Sequence, residues 1–152
     1  MNILIVEDSE KKLKRLENFI SNNVEGCSVK KKTSLHDGLK ALVEESFDAV
    51  ILDMTMPTYS TGEKESGGQP RPYAGREILQ QMKRRSIDVH ALVVTQFERF
   101  GDGSDVMTIS ELDSQLEREH SDNYMGYVQF SWIEEGWRES LSSKLDKIVK
   151  NR

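Results

Sequence analysis

Ala49-Val50-Ile51-Leu52-Asp53-Met54-Thr55-Met56-Pro57 is an apolar run that stops at a carboxylate and meets a proline soon after. An unbroken run of this length is the mark of a strand buried on both faces, as strands in parallel sheets are. Asn2 to Val6 repeats the pattern and ends at Glu7 and Asp8. His90 to Val94 repeats it again and ends at Thr95, and Tyr124 to Phe130 reads as the last strand. Ser28 to Lys32 is short and polar, which suits an edge strand, and the Lys30-Lys31-Lys32 run would keep that edge solvated and unable to pair with another chain.

Apolar residues at helical spacing lie between these runs. Leu13, Leu16, Phe19 and Ile20 mark one helix. Ser34, with Asp37 at capping-box spacing, opens a second whose apolar face is Leu35, Leu39, Leu42 and Val43. Gly75 to Arg85 turns Ile78, Leu79 and Met82 inward, and a helix around Ser110 to His120 carries Leu112 and Leu116. Ser131 and Glu134 again have capping-box spacing ahead of a helix lined by Trp137, Leu141, Leu145 and Ile148. Strand and helix alternate five times, and with right-handed crossovers this predicts an α/β fold: a doubly wound, five-stranded parallel sheet with helices on both faces.

The chain of 152 residues fits one domain, 1–152. Residues 58–73, which follow Pro57 and hold Pro70, Pro72 and a Gly67-Gly68 pair, and the stretch around 96–123 are longer than such connections usually are and read as loop insertions. A net charge of -5 argues against a nucleic-acid partner or an anionic membrane surface. The single Cys27 cannot form an internal disulfide, the start is no signal peptide, and no run reaches transmembrane length, so a cytoplasmic location is expected.

Sites in such sheets lie beyond the carboxyl ends of the strands, where strand order reverses. That rule alone picks out Glu7, Asp8, Asp53, Thr95 and Phe130. Three carboxylates together repel, so one takes a raised pKa unless a cation joins them. Mg²⁺ suits hard oxygen ligands, and a carboxylate beside it can attack a phosphoryl group. Asp8 taken alone would serve as a helix cap, but beside Glu7 and Asp53 the metal role is favoured.

Ile3-Leu4-Ile5-Val6-Glu7-Asp8, Ile51 to Pro57, Ala74 to Leu79, Leu92-Val93-Val94-Thr95 and Gly126-Tyr127-Val128 together resemble the receiver domain of bacterial two-component response regulators. The resemblance implies the flavodoxin-like strand order 2-1-3-4-5. It implies that Asp53 accepts a phosphoryl group from a histidine kinase or phosphotransfer protein. Glu7, Asp8, Asp53 and the backbone carbonyl of Thr55 would hold Mg²⁺, Thr95 would contact the phosphoryl group, and Tyr127 would turn inward as Thr95 moves.

The pattern departs from the family at the end of the fifth strand, where Lys-Pro is replaced by Phe130-Ser131. Phenylalanine cannot pair with a phosphoryl oxygen, and Lys64, Arg71, Arg76 or Arg99 would have to reach in from the long loops to replace the lysine. The last helix runs nearly to Arg152, so no output domain is expected. The reading is a stand-alone receiver in a phosphorelay, not an enzyme beyond self-phosphorylation, signalling to a downstream protein target. The alternative is a phosphorylation-independent pseudo-receiver acting as an interaction module. An exposed tryptophan in the aromatic C-terminal third would mark a homodimer or partner surface. A haloacid-dehalogenase-like phosphatase would need its second acid at Thr55, and a flavodoxin would not place Glu7-Asp8-Ser9-Glu10 against a phosphate.

Overall fold

A computed structural model describes residues 1–60 and 70–150. The strands are β1 (Asn2–Val6), β2 (Ser28–Lys32), β3 (Ala49–Leu52), β4 (His90–Thr95), β5 (Arg99–Phe100), β6 (Met107–Thr108) and β7 (Tyr124–Gln129). The helices are α1 (Glu10–Asn23), α2 (Leu35–Glu44), α3 (Ala74–Arg84), α4 (Ile109–Glu119) and α5 (Gly136–Lys150). The main sheet is parallel throughout and runs β2-β1-β3-β4-β7, which is the expected 2-1-3-4-5 order with β7 as the fifth strand. The reversal of order falls between β1 and β3, so the ends of these two strands open the crevice.

Alternation along the strands divides the core in two. Ile3, Ile5, Ala49, Ile51, Leu92 and Val94 face Leu13, Leu16 and Ile20 of α1 and Trp137, Leu141, Leu145 and Ile148 of α5. Leu4, Val6, Val50, Leu52, Ala91 and Val93 face α2, α3 and α4. Each fully buried aliphatic side chain contributes about 1.5–3 kcal/mol relative to exposure, so the two layers hold the strand ends rigidly in place. The polar strand β2 takes the sheet edge, with Lys30 paired to Glu45 and Lys31 to Glu17.

Three local expectations are corrected. Val43 is exposed, because α2 turns Leu35, Gly38, Ala41 and Leu42 to the sheet. Gly38 allows that rotation: a Cβ there would stand 2.8 Å from the Val6 methyls. Ser131 does not cap the last helix. Its hydroxyl accepts from the Ile133 and Glu134 N–H groups in a turn, and α5 begins only at Gly136. The insertion expected around 96–123 is not wholly loop, since β5 and β6 form a small antiparallel hairpin within it. Tyr73 anchors it, with its hydroxyl 2.5 Å from the Asp105 carbonyl oxygen and 3.1 Å from that of Phe100.

The other long segment is closed at its base by an antiparallel bridge between Met56 and Arg71. Residues 61–69 of the insertion expected at 58–73 lie outside the described residues.

Candidate functional site

Glu7 and Asp8 follow β1 directly, and Asp53 follows β3. The Asp53 N–H donates to the Val6 carbonyl at 3.0 Å, so the ladder continues one residue into the site and fixes the Asp53 backbone. One ligand oxygen from each of Glu7, Asp8 and Asp53 lies within 4.8 Å of the others. Glu7 and Asp53 are buried, whereas Asp8 is exposed. Asp8 does not cap α1. Ser9 does, accepting from the Lys12 N–H at 3.3 Å, while Glu7 Oε2 accepts from the Ser9 N–H at 3.0 Å.

The sequence reading missed Lys12. It is 1 % exposed, and its ammonium enters the carboxylate cluster from α1. Nζ stands 2.6 Å from Glu7 Oε1 and 3.5 Å from Asp53 Oδ2, and donates to the Val94 carbonyl at 2.8 Å. The ammonium thus has one hydrogen bond, to the Val94 carbonyl, and two carboxylates within ion-pair distance, and a charge buried this deep needs such partners. The readable signal was its phase. Lys12 precedes Leu16 by four and Ile20 by eight, so it lies on the buried stripe of α1.

Phe130 explains why that lysine has room. Its N–H donates to the Thr95 carbonyl at 2.8 Å, continuing the β4–β7 pairing by one residue. The side chain turns into the α1/α5 core, with Trp132 and Trp137 each at a ring separation of 4.9 Å. Lys12 Nζ lies 5.6 Å from the Phe130 ring centroid, a favourable distance for a cation over an aromatic face. The expectation that Phe130 leaves the pocket without a cation is therefore corrected: α1 supplies one. The cations considered from the loops lie elsewhere. Arg71 pairs with Glu77 at 2.5 Å, Arg76 stacks over Tyr73 and reaches Gln115, and Arg99 is exposed on β5. Lys64 lies outside the described residues.

Burial dominates the electrostatics. It pushes the Glu7 carboxyl up to about 8, with the Lys12 ammonium opposing and the Asp53 charge reinforcing the rise. Burial raises Asp53 as well, against Lys12 and against the Met54 N–H that donates to its Oδ1 at 2.8 Å. Both carboxylates would gain from further positive charge. The donor set is three hard carboxylate oxygens at an edge open through Asp8, which fits Mg²⁺ with its preference for oxygen and retained waters.

Thr95 is buried at the end of β4, where its hydroxyl accepts from the Phe97 N–H at 3.2 Å. In the register Leu52 pairs with Val93, so Asp53 and Thr95 leave the sheet at the same edge. Tyr127 is half-buried on β7 opposite Val93 and packs on the α2–α4 side of the sheet. Its placement follows a register shift at Gly126, whose φ of +98° is one that glycine adopts without strain. Thr55 is half-buried, with its hydroxyl 3.4 Å from the Pro72 carbonyl oxygen.

The response regulator receiver domain model matches residues 3–113. This chain belongs to the response regulator receiver family. Two relatives match along nearly all of it. A Detocs response regulatory protein DtcB of Enterobacter cloacae (strain JD6301) is 33% identical over 97% of this chain and 100% of its own length. The uncharacterized protein y4jR of Sinorhizobium fredii is 31% identical over 94% of this chain and 95% of its own. Solved receivers share the fold. A response regulator receiver domain protein from Clostridium thermocellum superposes with a TM-score of 0.63 at 20% identity, covering 99% of this chain and 94% of that one. The signal receiver domain of an HD domain-containing protein from Pseudomonas fluorescens Pf-5 gives 0.66 at 16% identity, covering 99% and 94%. Receiver domains are generally signalling modules rather than enzymes. No helix among the described residues is long and apolar enough to cross a membrane.

Proposed function

We propose that this receiver accepts a phosphoryl group on Asp53 and passes the signal on through protein contacts, as one cytoplasmic domain in a phosphorelay. The observation that carries the reading is the convergence of Glu7, Asp8 and Asp53 at the switch point of the sheet. Whole-length likeness to a response regulatory protein supports it.

In the proposed step an Asp53 carboxylate oxygen attacks the phosphorus of a phosphohistidine on a kinase or phosphotransfer protein. An oxygen–phosphorus bond forms, the phosphorus–nitrogen bond breaks, and the imidazole leaves with the electron pair and takes a proton from solvent. The Met54 N–H on Oδ1 orients the carboxylate and leaves Oδ2 toward the cluster. Glu7, Asp8, Asp53 and the Thr55 carbonyl would hold Mg²⁺, whose charge would offset that of the incoming phosphoryl oxygens. Thr95 would exchange its bond from the Phe97 N–H for one to the phosphoryl group. That movement would reach the hairpin and Tyr127, a local charge change biasing a packed element. Trp132 and Ile133 lie exposed beside this edge, with Trp132 bonded to Gln96, and would present the altered surface to a target.

A second reading keeps the fold without phosphorylation. The Lys12 ammonium already stands within ion-pair distance of both Glu7 and Asp53, a fixed internal contact that a constitutive pseudo-receiver would keep.

Tryptophan fluorescence separates the two readings, because both Trp132 and Trp137 touch Phe130. Titration with Mg²⁺, then with Mg²⁺ and beryllofluoride, is expected to give two saturable responses. Asp8→Ala should weaken the Mg²⁺ response by more than about tenfold, while stability shifts by no more than about 0.5 kcal/mol, since this exposed carboxylate caps nothing. Silence in both titrations, matched by silence in calorimetry, leaves the pseudo-receiver.

A further inference from the structure

The Lys12 ammonium is buried beside more carboxyl groups than one cation can pair with. Glu7 and Asp53 each face it, and the exposed Asp8 adds a third carboxylate to the cluster. A lysine placed only to neutralise Glu7 would need one partner. This one is drawn past Glu7 to within 3.5 Å of the Asp53 oxygen that is not occupied by the Met54 N–H. Its position is set from every side. The Ser9 cap fixes its backbone, the Val94 carbonyl takes one N–H, and the Phe130 ring closes the side toward α5. A charge fixed in advance beside the atom where negative charge accumulates contributes more than a mobile one, because it needs no reorganisation during the reaction.

We propose that Lys12, delivered from α1, is the cation that pairs with the phosphoryl group on Asp53, and that Phe130 is the wall holding it there. The inference rests on Asp53 being the phosphoacceptor. As phosphoryl transfer proceeds, the oxygens added at Oδ2 come within reach of Nζ, which moves from Asp53 toward them while keeping Glu7 and the Val94 carbonyl. The family position at the end of the fifth strand is thereby free to hold an aromatic residue. Phe130 and Lys12 form one unit, since a lysine side chain at 130 would compete for the same carboxylates.

The test follows uptake of a phosphoryl group from phosphoramidate by intact mass, at saturating Mg²⁺, with Mg²⁺ affinity measured by calorimetry on the same proteins. Lys12→Met is expected to slow uptake by about 10²–10³-fold, the usual loss for one preorganised charge-stabilising donor. It should bind Mg²⁺ at least as tightly as wild type, because the competing ammonium has gone; a merely structural lysine would lower both. Adding Phe130→Lys to Lys12→Met should recover part of the rate. Should Lys12→Met fail to fold, lysine-ammonium NMR of the wild-type protein serves instead, with Lys12→Arg to assign the signal. The Lys12 resonance is then expected to shift on adding beryllofluoride to the Mg²⁺ form. Wild-type uptake that Lys12→Met matches, or a resonance that beryllofluoride leaves in place, overturns the role of Lys12 alone. A wild-type protein that takes up nothing overturns the reading of Asp53 as phosphoacceptor and this inference with it.

Discussion

Asp53→Asn is expected to take up no phosphoryl group under conditions that fully label the wild-type protein, and to remain folded. An amide is not a nucleophile at phosphorus, yet its oxygen can still accept the Met54 N–H that Oδ1 accepts at 2.8 Å. No charge is stranded by the change, since Lys12 retains Glu7 at 2.6 Å and the Val94 carbonyl at 2.8 Å. Breaking a buried pair is costly when it leaves a bare charge behind, and here it does not. Burial already disfavours the Asp53 charge, so in the presence of a chelator the melting temperature of the variant should equal or exceed that of wild type. A labelled Asp53→Asn protein, with the label elsewhere on peptide mapping, would move the acceptor to another residue.

Gly75→Ala is expected to damage stability and site together. A Cβ at this position would stand 2.6 Å from the Asp53 carbonyl oxygen and 3.1 Å from Met54 Cα. Both are backbone atoms, held by the Asp53 N–H bond to Val6 and by the Gly75 N–H bond to the Met54 carbonyl at 3.0 Å. Neither can swing aside as a flexible side chain would. Overpacking of this kind costs about 1–3 kcal/mol, and each kcal/mol lowers the melting temperature of a chain this size by about 2–4 °C. The strain falls on the acceptor itself, so Mg²⁺ affinity should drop in parallel. A variant that melts with wild type and binds Mg²⁺ normally would show that α3 can retreat from the site, contrary to the packing seen here.

What the sequence made legible followed from long periods and strand ends. Four strongly apolar runs, each stopping at a polar group or a core aromatic, were enough to place Glu7, Asp8, Asp53 and Thr95 on one edge, because burial on both faces leaves little freedom in where a parallel strand ends. The β5–β6 hairpin was illegible, since strands of two residues carry no periodicity. Val43 misled because an apolar residue at the rim of a helical stripe does not report how far the helix has rotated, and Gly38 decided that rotation. Lys12 was hidden for a different reason. It stands among Glu10, Lys11, Lys14 and Arg15, where a charged residue in the first turns of a surface helix is ordinary. Only the three-dimensional neighbourhood, with Phe130 filling one side and Glu7 and Asp53 the other, shows that its charge lies inside the protein.

Both anomalies of the sequence therefore belong to one arrangement. The aromatic residue at 130 and the lysine on the buried stripe of α1 are readable separately as a loss and an oddity, and together as a cation delivered by another route. Covalent uptake of phosphate by the wild-type protein, followed by intact mass from a phosphorus–nitrogen donor with Mg²⁺ and again with a chelator, tests this most directly. The expected result is one phosphoryl group per chain with Mg²⁺, none with chelator, and its removal by hydroxylamine as an acyl phosphate demands. No uptake with Mg²⁺, or a label that survives hydroxylamine, would contradict the account.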